Sequence, residues 1–273
     1  MDISFSVILT LAIVIFDISV RVLAVIFIPQ NRKPSTATAW LLALFFIPFI
    51  GVILFALFGN NRLSKKRRQK QIYINDLIKD RTKGAYSIGE ENKIPFWFES
   101  LAKLNSNLGA LPLVGGNNAK LYGDYQESID AMTKRIDKAK VFVHIEFYIL
   151  NLDKTTKGLF NSLANAQKRG VKVRLLVDHI GSFRNPQYKE TLKFLSNNGI
   201  EWNLMLPVQP LKGKYQRPDL RNHRKILVID GQHGFTGSQN IIDRSYNKPK
   251  NIKRGLKWQE LVIAVEGPVV TEL

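Results

Sequence analysis

Residues 223–240 read HRKILVIDGQHGFTGSQN, a short stretch that holds an imidazole, an ammonium, a carboxylate, a hydroxyl and a carboxamide. The residues from Lys225 to Asp230 are apolar and β-branched through their middle, which predicts a buried strand on which His223 and Lys225, two apart, share a face. Asp230-Gly231 predicts a turn, and Phe235, Thr236 and Gly237 predict a returning strand that carries Ser238 and Asn240 toward the same mouth. Such a set suits a tetrahedral phosphoryl anion. Lys225 neutralises charge, and Ser238 and Asn240 donate to the non-bridging oxygens. His223 attacks phosphorus or moves a proton near neutral pH. Asp230 is grouped with His223 and Lys225 as catalytic. The bland alternative is a hairpin with an incidental surface His and Lys. The pattern occurs once, since His144, His179 and His233 have no lysine two residues on.

The neighbouring sequence must position these groups. Residues 258–263 (WQELVI) predict a further strand headed by Glu260, a carboxylate suited to fix the second nitrogen of His223; the alternative is an exposed strand-edge acid. Ile129, Met132 and Ile136 mark one helical face, and residues 141–150 predict a strong strand. A helix over 156–169 ended by Gly170, a strand over 171–177, a helix opened by Pro186 and ended by Gly199, and a strand over 200–206 follow. This alternation predicts an α/β sandwich unit. His144, Glu146 and Tyr148 share a strand face, with His144 and Glu146 read as a satisfied core pair and an active-site wall as the alternative. The basic, proline-containing loop over 207–222 either meets a phosphate-bearing substrate or is only surface.

Upstream, residues 39–58 carry no charge and are long enough to cross a bilayer. Residues 3–28 form a second apolar stretch, interrupted by Asp17 and Arg21, which at i,i+4 are expected to pair and face the partner helix. That first stretch lacks a basic start and a small-residue cleavage site, so it is read as an anchor and not a signal peptide. The basic run over 62–70, following the second stretch, predicts that the remainder lies on the cytoplasmic side of the cell membrane, with both termini inside. The resulting division is an anchor hairpin over 1–60, a basic juxtamembrane and linker region over 61–120, and a catalytic half-domain over 121–273. Residues 94–98 (IPFWF) are expected in the core. The formal net charge of +18 suits an anionic surface, and with the membrane stretches it favours lipid over nucleic acid. There is no cysteine, so disulfide and thiolate chemistry are excluded, and no Cys/His spacing suggests zinc.

The residues His223, Lys225, Asp230, Gly237, Ser238 and Asn240 resemble the signature of the phospholipase D superfamily. The chain as a whole resembles the amino-terminal half of a bacterial cardiolipin synthase, through residues 34–42 (PSTATAWLL), 47–51 (IPFIG), 58–60 (FGN), 170–174 (GVKVR), 219–223 (DLRNH) and 266–268 (EGP). The resemblance implies two transmembrane helices followed by one phospholipase D-like α/β sandwich unit. It implies phosphatidyl transfer through histidine: one phosphatidylglycerol donates to His223, glycerol leaves, and a second phosphatidylglycerol attacks to give cardiolipin. No cofactor and no metal are required, because lysine supplies the positive charge. The family uses two such histidines and this chain has one, so it is read as a truncated product ending within an expected helix after residue 267, or as a homodimer that rebuilds the site. A phosphodiesterase or nuclease acting as a homodimer, and a non-catalytic membrane-anchored fragment, are the alternatives.

Overall fold

The computed structural model describes residues 5–30, 32–59, 65–81, 95–109, 111, 113–212, 214–215 and 221–273. The chain divides into two compact units, Met1–Ile72 and Tyr73–Leu273.

In the first unit, α1 spans Phe5–Phe27, α2 Pro34–Phe46 and α3 Pro48–Leu54, the last continuing as a π-helix over Phe55–Gly59. Among the described residues, α1 is the one helix long and apolar enough to cross a membrane. The expected continuous span over 39–58 is broken. Pro48 has no N–H to donate and disfavours helical geometry in the residue before it, and Ile47 sits at φ −136°, ψ 66°. Gly51 then lets α3 lie close to α2, for a Cβ there would meet the Ala43 carbonyl oxygen at 2.8 Å. Arg21 donates from Nε to Asp17 Oδ2 at 2.7 Å, and its guanidinium lies over the Phe45 ring of α2, 5.4 Å from the centroid. The pair therefore faces its neighbour helix as expected. Ala24, Ile28, Ala37 and Leu44 form the small buried core of this unit. The basic run falls partly outside the described residues, and its remainder opens α4, Lys65–Arg81.

The second unit contains α5, Phe96–Gly109, and then the sheet domain. Phe96 and Trp97 are 87% and 63% exposed, so the aromatic cluster is not core as expected. Both sit in the first turn of α5, and the domain core closes on other helices. Ile94 lies outside the described residues.

The sheet domain runs β1 Asn118–Tyr122, α6 Tyr125–Asp137, β2 Phe142–Phe147, α7 Lys157–Lys168, β3 Lys172–Asp178, α8 His179–Phe183, α9 Tyr188–Asn197 and β4 Glu201–Met205. After these come the short β5 Val208–Gln209 and β6 Lys214–Tyr215, then β7 Lys225–Ile229, β8 His233–Gly237, α10 Pro249–Lys253 and β9 Val262–Glu266. The seven-stranded sheet has the order β1-β9-β8-β7-β2-β3-β4. β2, β3 and β4 are parallel, and β7, β8, β9 and β1 extend the sheet antiparallel. Two sequence expectations shift here. β1 begins inside the stretch read as linker, and the strand expected over 258–263 starts only at Val262.

Alternation explains the layers. On β2, Val143, Ile145 and Phe147 are buried, and their partners Val173, Leu175 and Val177 on β3 and Ile229 and Leu227 on β7 share that face. Ile129, Met132 and Ile136 of α6, Leu159, Phe160 and Leu163 of α7, and Leu195 of α9 pack onto it. The opposite face carries Phe142, His144, Glu146, Arg174, Leu176 and Val228 around an open groove, with Val270 and Leu273 at its rim. Among the described residues the domain is thus two-layered, with its long helices on one face.

Candidate active site

Functional groups gather where β2 and β3 end, where β7 begins, where β8 ends and where β9 begins. All of these lie at one edge of the sheet, the place where strand ends open into loops. Lys225 is the first residue of β7 and pairs with Phe147; its side chain takes the core face with Leu227 and Ile229 and is 3% exposed. Its Nζ lies 2.6 Å from the His223 carbonyl oxygen, to which it donates, and 2.9 Å from His223 Nδ1. His223 itself is exposed, and its ring lies against Tyr148, centroids 4.4 Å apart. The expected common face of His223 and Lys225 is therefore realised, with the cation buried and the imidazole at the mouth.

Burial, followed by the Lys225 charge, lowers the pKa of His223 below that of free histidine, while the carboxylates of Glu260 and Asp178 act in the opposite sense. Burial also brings Lys225 down to about 8, with Glu260 opposing. Lys225 thus titrates close to neutrality, and His223 is biased toward its neutral form.

The β8 end supplies two more groups. Gly237 is required by contact, since a Cβ there would run into the Leu261 carbonyl oxygen and come within 2.9 Å of Val262 Cα. That close approach seats Ser238, whose N–H donates to the Leu261 oxygen at 2.9 Å and whose Oγ accepts the Leu261 N–H at 3.1 Å. Its hydroxyl proton is left to donate. Gln239 turns inward and fixes the loop to α6: its Oε1 accepts from Ser128 Oγ at 2.8 Å, and its Nε2 donates to the Tyr125 oxygen at 3.1 Å. Asn240 is 3% exposed; its Oδ1 accepts the Ile149 N–H at 3.1 Å and its Nδ2 donates to Tyr246 Oη at 2.9 Å.

Glu260 does not hydrogen-bond His223. It accepts from Tyr246 Oη at 3.2 Å, because Tyr246 stands between it and Asn240. The carboxylate thus acts on the imidazole and on Lys225 through space. Tyr246 was missed by the sequence reading. Its left-handed backbone, φ 58°, belongs to a turn in which its N–H donates to the Asp243 oxygen, and no spacing rule announces this. Tyr148 was noticed only as part of a strand face. Gly181 makes its position permissible, since a Cβ at 181 would collide with the Tyr148 carbonyl and ring.

Asp230 is not brought to the site. It lies at the far end of β7, about 17 Å of strand away. There it accepts the backbone N–H groups of Lys140, Val141 and Phe142, each at 2.9 Å. Burial opposes its ionised form, the three N–H donors outweigh that, and its pKa falls below the ordinary value. The catalytic assignment expected for Asp230 is replaced by a structural one: it pins the start of β2 to the hairpin turn. His233 lies at the same far end, beside Glu266 and Arg135.

The expected pairing of His144 with Glu146 is absent. Glu146 accepts from Asn222 Nδ2, next to His223, and His144 packs its ring 4.5 Å from Phe142 with its buried Nε2 unpartnered among the described residues. Of the three residues on that strand face, Glu146 reaches the His223 neighbourhood through Asn222 and Tyr148 through its ring, while His144 packs on Phe142. His179 is buried, and its Nδ1 accepts the Val208 N–H at 3.1 Å. The loop over 207–222 lies partly outside the described residues.

A mixed α/β sheet carrying this imidazole, ammonium, hydroxyl and carboxamide at one edge defines a phospholipase D-like domain. Residues 132–266 match the family model described as cardiolipin synthase, PLD-like domain, and residues 8–60 match the one described as phospholipase D-nuclease N-terminal. The chain is 33% identical over 249 residues to the cardiolipin synthase of Clostridium perfringens strain 13, covering 89% of this chain and 50% of that protein. It is 32% identical over 261 residues to cardiolipin synthase A of Wigglesworthia glossinidia brevipalpis, covering 95% and 51%. Among solved structures, the phospholipase D family member Nuc from Salmonella typhimurium aligns with TM-score 0.42 and 19% identity over 57% of this chain and 88% of that one. The chain belongs to the cardiolipin synthase family of phospholipase D-like proteins, and it spans about half the length of the curated relatives it matches.

Proposed function

We propose that this chain supplies one histidine half-site of a phosphatidyltransferase that makes cardiolipin from two phosphatidylglycerols. The observation that carries the reading is the exposed His223 ring held between Tyr148 and the buried Lys225 ammonium, beside Ser238 and Asn240.

The chemistry follows from Lys225. An ammonium donating to Nδ1 leaves the neutral ring's proton on Nε2, where it blocks attack by that nitrogen. A neutral amine accepts from Nδ1–H, and Nε2 then offers its lone pair. With Lys225 near 8, both forms are accessible around neutral pH. In the first step Nε2 attacks phosphorus, the P–O bond to glycerol breaks, and glycerol leaves with a proton. In the second, the primary hydroxyl of another phosphatidylglycerol attacks, loses its proton to a base, and the P–N bond breaks. Lys225, Ser238 and Asn240 neutralise and donate to the phosphoryl oxygens, while Glu260 favours the charged ring. The acid and base of the opposite half-site come from a second histidine motif, carried by another copy or another chain.

The apolar α1 and the apolar helices α2 and α3 support two membrane passages, and the basic opening of α4 supports a cytoplasmic position for the sheet domain. The division of the chain is an anchor to about residue 60, a basic link, and the catalytic half-domain from β1 onward.

Incubation of the chain with phosphatidylglycerol labelled at phosphorus, with and without a partner bearing the second motif, tests the proposal. Expected are an alkali-stable, acid-labile phosphoryl label on His223 and labelled cardiolipin when the partner is present. Phosphatidic acid as sole product would instead establish a phosphodiesterase. A label that survives His223→Ala would rule out the histidine route.

A further inference from the structure

Between Asp243 and Glu260 the chain carries Arg244, Lys248, Lys250, Lys253, Arg254 and Lys257 and no carboxylate. Three apolar side chains are interleaved with them and exposed: Ile252 at 61%, Leu256 at 42% and Trp258 at 49%. This segment is built and not a loose excursion. Within it lies α10; the Leu256 N–H donates to the Asn251 oxygen at 2.9 Å, the Trp258 N–H to the Arg244 oxygen at 2.9 Å, and Asn251 Nδ2 to the Ser245 oxygen at 2.8 Å. It rises between Asn240 and Glu260, at the sheet edge that carries His223. Its last aromatic reaches back into the site, for the Trp258 and Tyr246 rings lie 5.7 Å apart and Tyr246 links Asn240 to Glu260.

From this arrangement we infer that residues 244–258 dock the mouth of the site onto an anionic lipid surface. The cations attract phosphate headgroups at long range, and Ile252, Leu256 and Trp258 insert at the headgroup level. A nucleic-acid strand would use the cations and the Trp ring but would leave the exposed Ile252 and Leu256 without apolar contact. The inference rests on the proposed lipid substrate, for it states how that substrate is presented, yet docking does not require His223.

The chain has no cysteine, so a single introduced thiol is unique. Ile252→Cys carrying an environment-sensitive fluorophore, in the full chain reconstituted into vesicles, reports on the docking segment. Lys138→Cys, just beyond α6 at the other end of the sheet, serves as the comparison. Quenching by brominated lipid at position 252 is expected to be about threefold greater in phosphatidylglycerol vesicles than in phosphatidylcholine vesicles, with no such difference at 138. The triple change Lys250→Glu, Lys253→Glu, Arg254→Glu in the labelled protein is expected to erase the preference while the circular dichroism stays that of the parent. A label at 252 that remains equally open to aqueous iodide in both vesicles, or one that responds to single-stranded DNA and not to phosphatidylglycerol, overturns the inference. Adding His223→Ala separates the two readings, because docking persists when transfer is lost.

Discussion

Lys225 Nζ lies 2.9 Å from Nδ1 of His223, so a buried cation is held in place by the imidazole it tunes. Burial lowers the lysine to about 8 from 10.5, so the folded state binds fewer protons than the unfolded state between those values, and stability rises with pH across that window. Below it the buried charge costs on the order of 1–3 kcal/mol. Lys225→Met is therefore expected to raise the melting temperature at pH 7, to flatten its rise toward pH 10, and to lower transfer by about 10²-fold or more. Thermal melts across that range check this, and an unchanged pH slope in the variant would refute it.

Asp230 should separate folding from chemistry. Asp230→Ala leaves three backbone N–H groups without their acceptor and is expected to cost about 1–3 kcal/mol, with Asp230→Asn losing less. The carboxylate's contribution is present above the ordinary Asp range and fades as pH falls through its lowered value. Chemical denaturation at several pH values measures this. The folded fraction of the variant should transfer phosphatidyl groups as the parent does, and a selective loss of turnover would return Asp230 to the site.

Tyr246→Phe keeps the ring beside Trp258 and removes the hydroxyl shared by Asn240 and Glu260. One lost hydrogen bond of ordinary strength predicts about a tenfold fall in kcat. The KM should hardly change, because the ring contact with the docking segment survives. Steady-state kinetics on mixed vesicles distinguish this from a simple loss of lipid binding.

Gly237→Ala is expected to be among the most damaging small changes. The added methyl collides with the Leu261 backbone, and relief requires β8 to part from β9, at a cost of about 1–3 kcal/mol. Ser238 and Glu260 lie on the two sides of that contact, so activity should fall further than stability. Equal losses of each in parallel melts and assays would contradict the geometry.

The sheet was legible because its signals are local. Val143, Ile145 and Phe147 alternate, Gly170 and Gly199 end helices, and Asp230-Gly231 turns a hairpin. Lys225 opens β7 and Ser238 and Asn240 follow directly on β8, so the register of the local hairpin is what brings them to one sheet edge. Where the sequence reading failed, long-range pairing decided. Spacing cannot tell that Asp230 finds the amides of Lys140, Val141 and Phe142 across the sheet, that Tyr246 intercepts Glu260, or that Glu146 prefers Asn222 to His144. The break before Pro48 was written in the sequence but was overruled by hydrophobicity alone.

The position of Asp230 changes what a match to the six-residue signature means. In the proposed chemistry His223, Lys225, Ser238 and Asn240 speak of reactivity, while Asp230 and Gly237 speak of whether the hairpin is seated. A relative lacking only the aspartate would be a chemically complete but fragile protein, whereas one retaining only Asp230 and Gly237 would be a sound scaffold without chemistry. Searches that weigh all six positions alike therefore merge two questions, and scoring the aspartate and the glycine apart from the other four would let genomes be sorted into live enzymes and silent folds.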